Sequence, residues 1–197
     1  MDQTVRTNLR YAIGASLFGL IFLWFAVHFY NQADVGPKET IQLNGTLSEN
    51  LKTERHRRSQ SLVIKLAEYP GLQFHIGGVS LKGTASSDLK ADLHIGNPIR
   101  LTISQTDYGK KITRKIPLSF WESYWNFERI HVLEASTDEF DYLTLADYNR
   151  VHRQNARWGM GVFGFFSVLF LAAAALFYAK RHEASFEQKP NKRKRKS

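Results

Sequence analysis

The stretch YAIGASLFGLIFLWFAVHFY, from Tyr11 to Tyr30, holds no Asp, Glu, Lys or Arg, and its reading decides the fold. Its length is about the 20 residues a helix needs to cross roughly 30 Å of hydrocarbon. Tyr11, Trp24 and Tyr30 carry the amphipathic rings favoured near lipid headgroups, with Trp24 set somewhat inside. A second uncharged stretch, WGMGVFGFFSVLFLAAAALFY, runs from Trp158 to Tyr178 and is aromatic at both ends. One such run is compatible with a buried globular helix. Two, each with interfacial aromatics and basic flanks, predict two membrane spans. Arg6 and Arg10 precede the first run as in a secretory signal, but its apolar core exceeds the usual ~7–15 residues and no clean cleavage site follows it. An uncleaved anchor is expected.

The formal charge of +9 is unevenly placed. Residues 31–157 carry 17 basic and 15 acidic side chains, whereas the tail after Tyr178 carries 8 basic and 2 acidic, so the excess belongs mainly to the tail. Orientation follows from Lys and Arg close to the spans. Arg6 and Arg10 lie before the first, with only Lys38 soon after it; Lys180, Arg181, Lys189, Lys192 and Arg193 follow the second, against Arg150, Arg153 and Arg157 before it. Both comparisons predict cytoplasmic termini and an extracytoplasmic stretch from 31 to 157. Cysteine is absent, which excludes disulfides, thiolate chemistry and Cys-bound zinc and suits a bacterial inner-membrane protein.

GMGVFG, Gly159 to Gly164, matches the dinucleotide-binding glycine spacing letter for letter, but it opens an apolar run instead of following a strand. Close helix approach explains it better. Small residues let backbones touch in lipid, and Ala15 and Gly19 offer a matching edge to Gly159, Gly161 and Gly164. Packing of the two spans within one chain and dimerisation both fit.

Between the spans, after a polar linker at 31–38, alternation of apolar and polar residues predicts strands over 40–47, 61–67, 72–76, 88–95, 99–104, 111–116 and 129–134. The clearest sets Leu89, Ala91, Leu93 and Ile95 against Lys90, Asp92 and His94. Ser119-Phe-Trp-Glu122 fits a helix-capping box, and Thr144-Leu-Ala-Asp147 another, opening a helix that continues into the second span. The expected fold class is two transmembrane α-helices flanking a β-rich α+β domain, either a small curved sheet or an OB-like barrel. The expected organisation is a cytoplasmic N-terminus (1–10), span one (11–30), linker (31–38), β-rich domain (39–143), lead-in helix (144–157), span two (158–178) and a polybasic tail (179–197).

Chemistry is announced nowhere: the serine-hydrolase elbow, the H-E-x-x-H zinc pair, the P-loop and the EF-hand loop are all missing. His75, His94 and His131 fall on the polar sides of expected strands, where separate solvated imidazoles are expected and convergence on a metal is the alternative. Asp138, Glu139 and Asp141 lack the spacing of a calcium loop. The run Lys52, Arg55, His56, Arg57, Arg58 is expected in a solvated connection. Phe120, Trp121, Tyr124 and Trp125 share one helical face, for which two expectations compete: burial in the core, the commoner fate of an aromatic stripe, and contact with a partner or the bilayer, for which these four are the candidates. Lys192, Arg193, Lys194, Arg195 and Lys196, directly after a span, are expected to meet anionic lipid. The functional expectation is a non-enzymatic interaction module needing no cofactor or metal. Its partners would be membrane lipids and another envelope protein or a second copy of itself, with no nucleic acid. A signalling element and a metal-dependent or hydrolytic envelope enzyme are the alternatives.

Overall fold

Leu62 and Ile64, Phe74 and Ile76, and Ile130 and Val132 are spaced by two within their segments and are almost wholly buried. Such alternation makes a strand with one face turned to a core. The computed structural model describes residues 3–56, 59–125 and 128–187. It divides the chain into a β-rich unit, Ala33–Asn155, and a helical unit formed by the segments on either side.

The β-rich unit is a seven-stranded sheet of β1 (Thr40–Thr46), β2 (Lys52–His56), β3 (Ser59–Ile64), β4 (Gln73–Ile76), β5 (Pro98–Ser104), β6 (Arg129–Ser136) and β7 (Asp141–Leu143). The strand order is β1-β5-β6-β4-β3-β2, with β7 paired to β6. All pairings are antiparallel except β4 with β6, which is parallel. Register places Leu62 opposite Ile76, and Phe74 opposite both Ile64 and Ile130, so three strands turn the same face inward. Each such fully buried side chain contributes roughly 1.5–3 kcal/mol of transfer free energy.

Of the two expected forms, a curved sheet or an OB-like barrel, the sheet is not the barrel: it is open and mixed. A single bridge, Leu47 with Leu66, draws chain beyond β1 toward chain beyond β3, and no ladder joins them among the described residues. Three segments depart from expectation. The expected strand 88–95 is instead helix α2, Ser86–Asp92. Leu89 and Leu93 stand four apart as well as an even number apart, so they satisfy a helical face equally well, and both are buried. Ile95, which a strand would turn inward with them, is 64% exposed. The expected strand 111–116 is also absent: a short helix, α3 (Gln105–Asp107), runs into a π turn at Tyr108–Ile112, and 113–116 are irregular. The run at Lys52 was expected in a loop and forms β2 up to His56; Arg57 and Arg58 lie outside the described residues. Two further helices follow, α4 (Phe120–Trp125) and α5 (Leu145–Glu187).

The helical unit pairs α1 (Gln3–Tyr30) with the apolar part of α5. Val5, Ala12, Gly19 and Ala26 are its buried positions on α1, one every seven residues. That period keeps a seam on one side of a gently supercoiled helix. Phe163, Phe170 and Phe177 repeat the spacing on α5 and meet Phe29, Phe18 and Tyr11 in turn, with ring centroids 5.5–5.7 Å apart. Partner numbers fall as α5 numbers rise, so the helices run antiparallel. Small residues on one helix thus receive large ones from the other: a Cβ on Gly19 would lie 2.8 Å from Leu171 Cδ2, and one on Gly159 2.9 Å from Phe29. The Ser167 hydroxyl, otherwise stranded among apolar groups, donates to the Gly19 carbonyl at 3.0 Å. Both helices are long and apolar enough to cross a membrane.

Candidate functional site

The expected aromatic face sits on a platform assembled from residues 104–122. Ser104 caps α3, its Oγ accepting from the Asp107 amide at 3.0 Å. After the π turn the chain reverses at Arg114, whose φ of 53° is the left-handed conformation that side chains other than glycine rarely adopt. The Ile116 amide then donates to the Gly109 carbonyl at 3.2 Å, and a Cβ on Gly109 would stand 2.6 Å from Ile116 Cδ1. A side chain at Gly109 would push the end of Ile116 aside. Ser119 and Glu122 form the expected capping box: the Ser119 amide donates to Glu122 Oε2 at 2.8 Å, and the Glu122 amide to Ser119 Oγ at 3.3 Å. Lys110 Nζ reaches the same carboxylate at 2.7 Å. The Lys110 ammonium, followed by Ser119, holds the Glu122 carboxyl down at about 2, so it stays ionised across any neutral range.

This platform carries Phe120 and Trp121 outward. They are 74% and 68% exposed, their rings edge to face at 5.5 Å, and Ile116, four residues before Phe120, is 41% exposed. Burial in the core, the competing expectation, is overturned for these two residues. The side chains of Tyr124 and Trp125 lie outside the description.

A second constellation forms where the sheet meets the first turns of α5. His75 and His131 face each other across the β4–β6 pair, and His94 lies elsewhere, in the turn after α2. The third imidazole of the group is His152 on α5, stacked on Tyr148 at 4.2 Å and hydrogen-bonded through Nε2 to Ser80 Oγ at 3.1 Å. Burial pushes the pKa of His75, His131 and His152 below the usual 6.5, and His131 bears on both of the others. His75 is buried, whereas His131 is exposed. Among the described residues no three His, Cys, Asp or Glu side chains are placed to hold a metal.

A polar cleft of about 510 Å³ is lined by β1, β5 and residues 137–138, with Glu68, Arg100 and Asp138 among its lining residues. Its charged groups are already engaged. Both Glu68 oxygens accept from the Thr46 amide, at 3.0 and 2.8 Å, and Arg100 pairs with Asp138. Of the expected helix-packing residues, Ala15 is half-buried, and Gly19 and Gly159 lie under side chains of the opposite helix; a Cβ on Gly161 or Gly164 would meet nothing. Lys192 to Lys196 lie outside the described residues.

No family model, curated protein or solved structure matches this chain.

Proposed function

We propose that this protein is a membrane-anchored interaction module of a bacterial envelope. In this reading α1 and α5 span the bilayer, residues 31–157 lie outside the cytoplasm, and both termini lie inside. Its domain presents the Phe120–Trp121 surface, with membrane lipids and another envelope protein or a second copy as partners.

One observation carries the reading: only 17% and 11% of the most apolar windows of α1 and α5 are buried. Leu17, Phe18, Leu20 and Ile21 on α1, and Phe165, Val168 and Leu176 on α5, are at least half exposed. A water-facing surface of this kind would cost about 25 cal/mol per Å² of apolar area, whereas hydrocarbon accepts it without penalty. The basic residues flanking the helices support the orientation.

Because the chain has no native thiol, Ser87→Cys on α2 gives a single reporter. A membrane-impermeant maleimide should label it in intact cells, and alkaline carbonate should leave the chain in the membrane pellet. Labelling only after lysis would reverse the orientation; release by carbonate would remove the spans.

A further inference from the structure

We propose that the platform bearing Ile116, Phe120 and Trp121 inserts into the headgroup region of an anionic bilayer, steered by the exposed Lys115 that precedes it. The proposal rests on the reading that α1 and α5 span that bilayer, and it names the partner of the exposed aromatic surface.

The patch is built, not incidental. The segment that carries the adjacent Phe and Trp side chains is ordered by a capping box, an ion pair to Lys110, a close approach of Ile116 to Gly109 and a left-handed turn at Arg114. A merely flexible loop would need none of these. The charge pattern then selects the occupant. Between Asp107 and Glu122 lie Lys110, Lys111, Arg114 and Lys115 and no acidic residue. Lys110 and Lys111 pair with Glu122 and Asp107, and Lys115, next in sequence to Ile116, is exposed. Exposed aromatic rings preceded in the chain by an exposed cation suit an interface of acyl chains and anionic headgroups.

Area argues the same way. At about 150–250 Å² per aromatic side chain, Ile116, Phe120 and Trp121 together offer roughly 500 Å², short of the ~800 Å² per partner of a stable protein interface. A bilayer requires no such minimum from a chain already anchored in it, because tethering makes the second contact intramolecular.

The test uses the full chain in vesicles containing phospholipids with nitroxides at both shallow and deep acyl positions, so that labels near the headgroups and at the bilayer centre are each within reach of a quencher. An NBD fluorophore is attached to a single cysteine at Phe120→Cys, Ser87→Cys or Val168→Cys. The Val168 label should be quenched in phosphatidylcholine alone and in mixtures with phosphatidylglycerol, and the Ser87 label in neither. The Phe120 label should be quenched with phosphatidylglycerol and much less without it. Adding Lys115→Glu should lower its inserted-to-free ratio at least about fivefold, the equivalent of one surface cation. A silent Phe120 label beside a quenched Val168 label would overturn the proposal while sparing the spans. A silent Val168 label would overturn both. Equal Phe120 quenching in the two lipids would remove the role of charge, and energy transfer between labelled copies without lipid quenching would make a second copy the occupant.

Discussion

Asn149 answers the backbone of Val35 with both ends of its amide: Oδ1 accepts from the Val35 N–H and Nδ2 donates to the Val35 carbonyl, each at 3.0 Å. Arg153, one turn on, pairs with Asp34. Truncation would leave two half-buried peptide groups without partners, so Asn149→Ala is expected to cost about 1–3 kcal/mol, read from the urea midpoint; an unchanged midpoint would show that water replaces the clamp. The three crowded imidazoles make a second prediction. Their folded pKa values lie below 6.5, so the unfolded chain takes up protons first as pH falls. Their full contribution is present above about pH 6.5 and is lost as pH drops toward the folded values. Arg129 and Lys111 reinforce the depression, and Glu54 and Asp107 oppose it. Urea midpoints should therefore fall between about pH 7.5 and about pH 5.5, and His75→Gln should flatten that slope; equal slopes would assign the acid sensitivity to carboxylates. Two of these imidazoles were legible as polar positions on strands. His152 was not, because nothing local marks a helical histidine as the neighbour of a strand over 20 residues earlier in the chain.

Among the elements, α2 gives the sharpest test, because strand and helix assign opposite fates to one residue. Leu89 and Leu93 are buried and Ile95 is exposed. Leu93→Ala should cost about 2–5 kcal/mol, as emptied core sites do, and Ile95→Ala should be nearly neutral. A large loss at Ile95 would restore the strand. The ambiguity was inherent in the sequence: residues two, four and six apart fit a strand, and the pair four apart fits a helix. The capping boxes were less ambiguous, since each specifies hydrogen bonds within four residues. Ser119 and Glu122 make theirs reciprocally. At Thr144 the hydroxyl accepts from the Asp147 amide at 3.1 Å while donating to the Asp147 carboxylate, and Glu134 on β6 supplies the acceptor for the Leu145 amide at 3.0 Å. Local chemistry thus begins α5, and a residue from the sheet completes its cap.

For the whole molecule, the domain boundary is the quantity at stake. Alternation of apolar and polar residues suggests a domain of 39–143, but the compact unit is Ala33–Asn155, which adds the clamp to Val35 and the turns of α5 carrying Tyr148 and His152. A fragment of 33–155 should unfold cooperatively in urea, and 39–143 should show a markedly lower midpoint or no transition; equal midpoints would make the added segments dispensable. Composition and local spacing by themselves determined the two long apolar helices, the uncharged seam between them, five of the seven strands and the aromatic helix α4, because each is written within a few turns or a single strand. Tertiary structure alone decided that the sheet is open and mixed, that α2 is helical, that Phe120 and Trp121 face outward, and that His152 joins His75 and His131. These outcomes depend on contacts between residues far apart in the chain, whose free energies outweigh local preference and leave no mark on neighbouring residues.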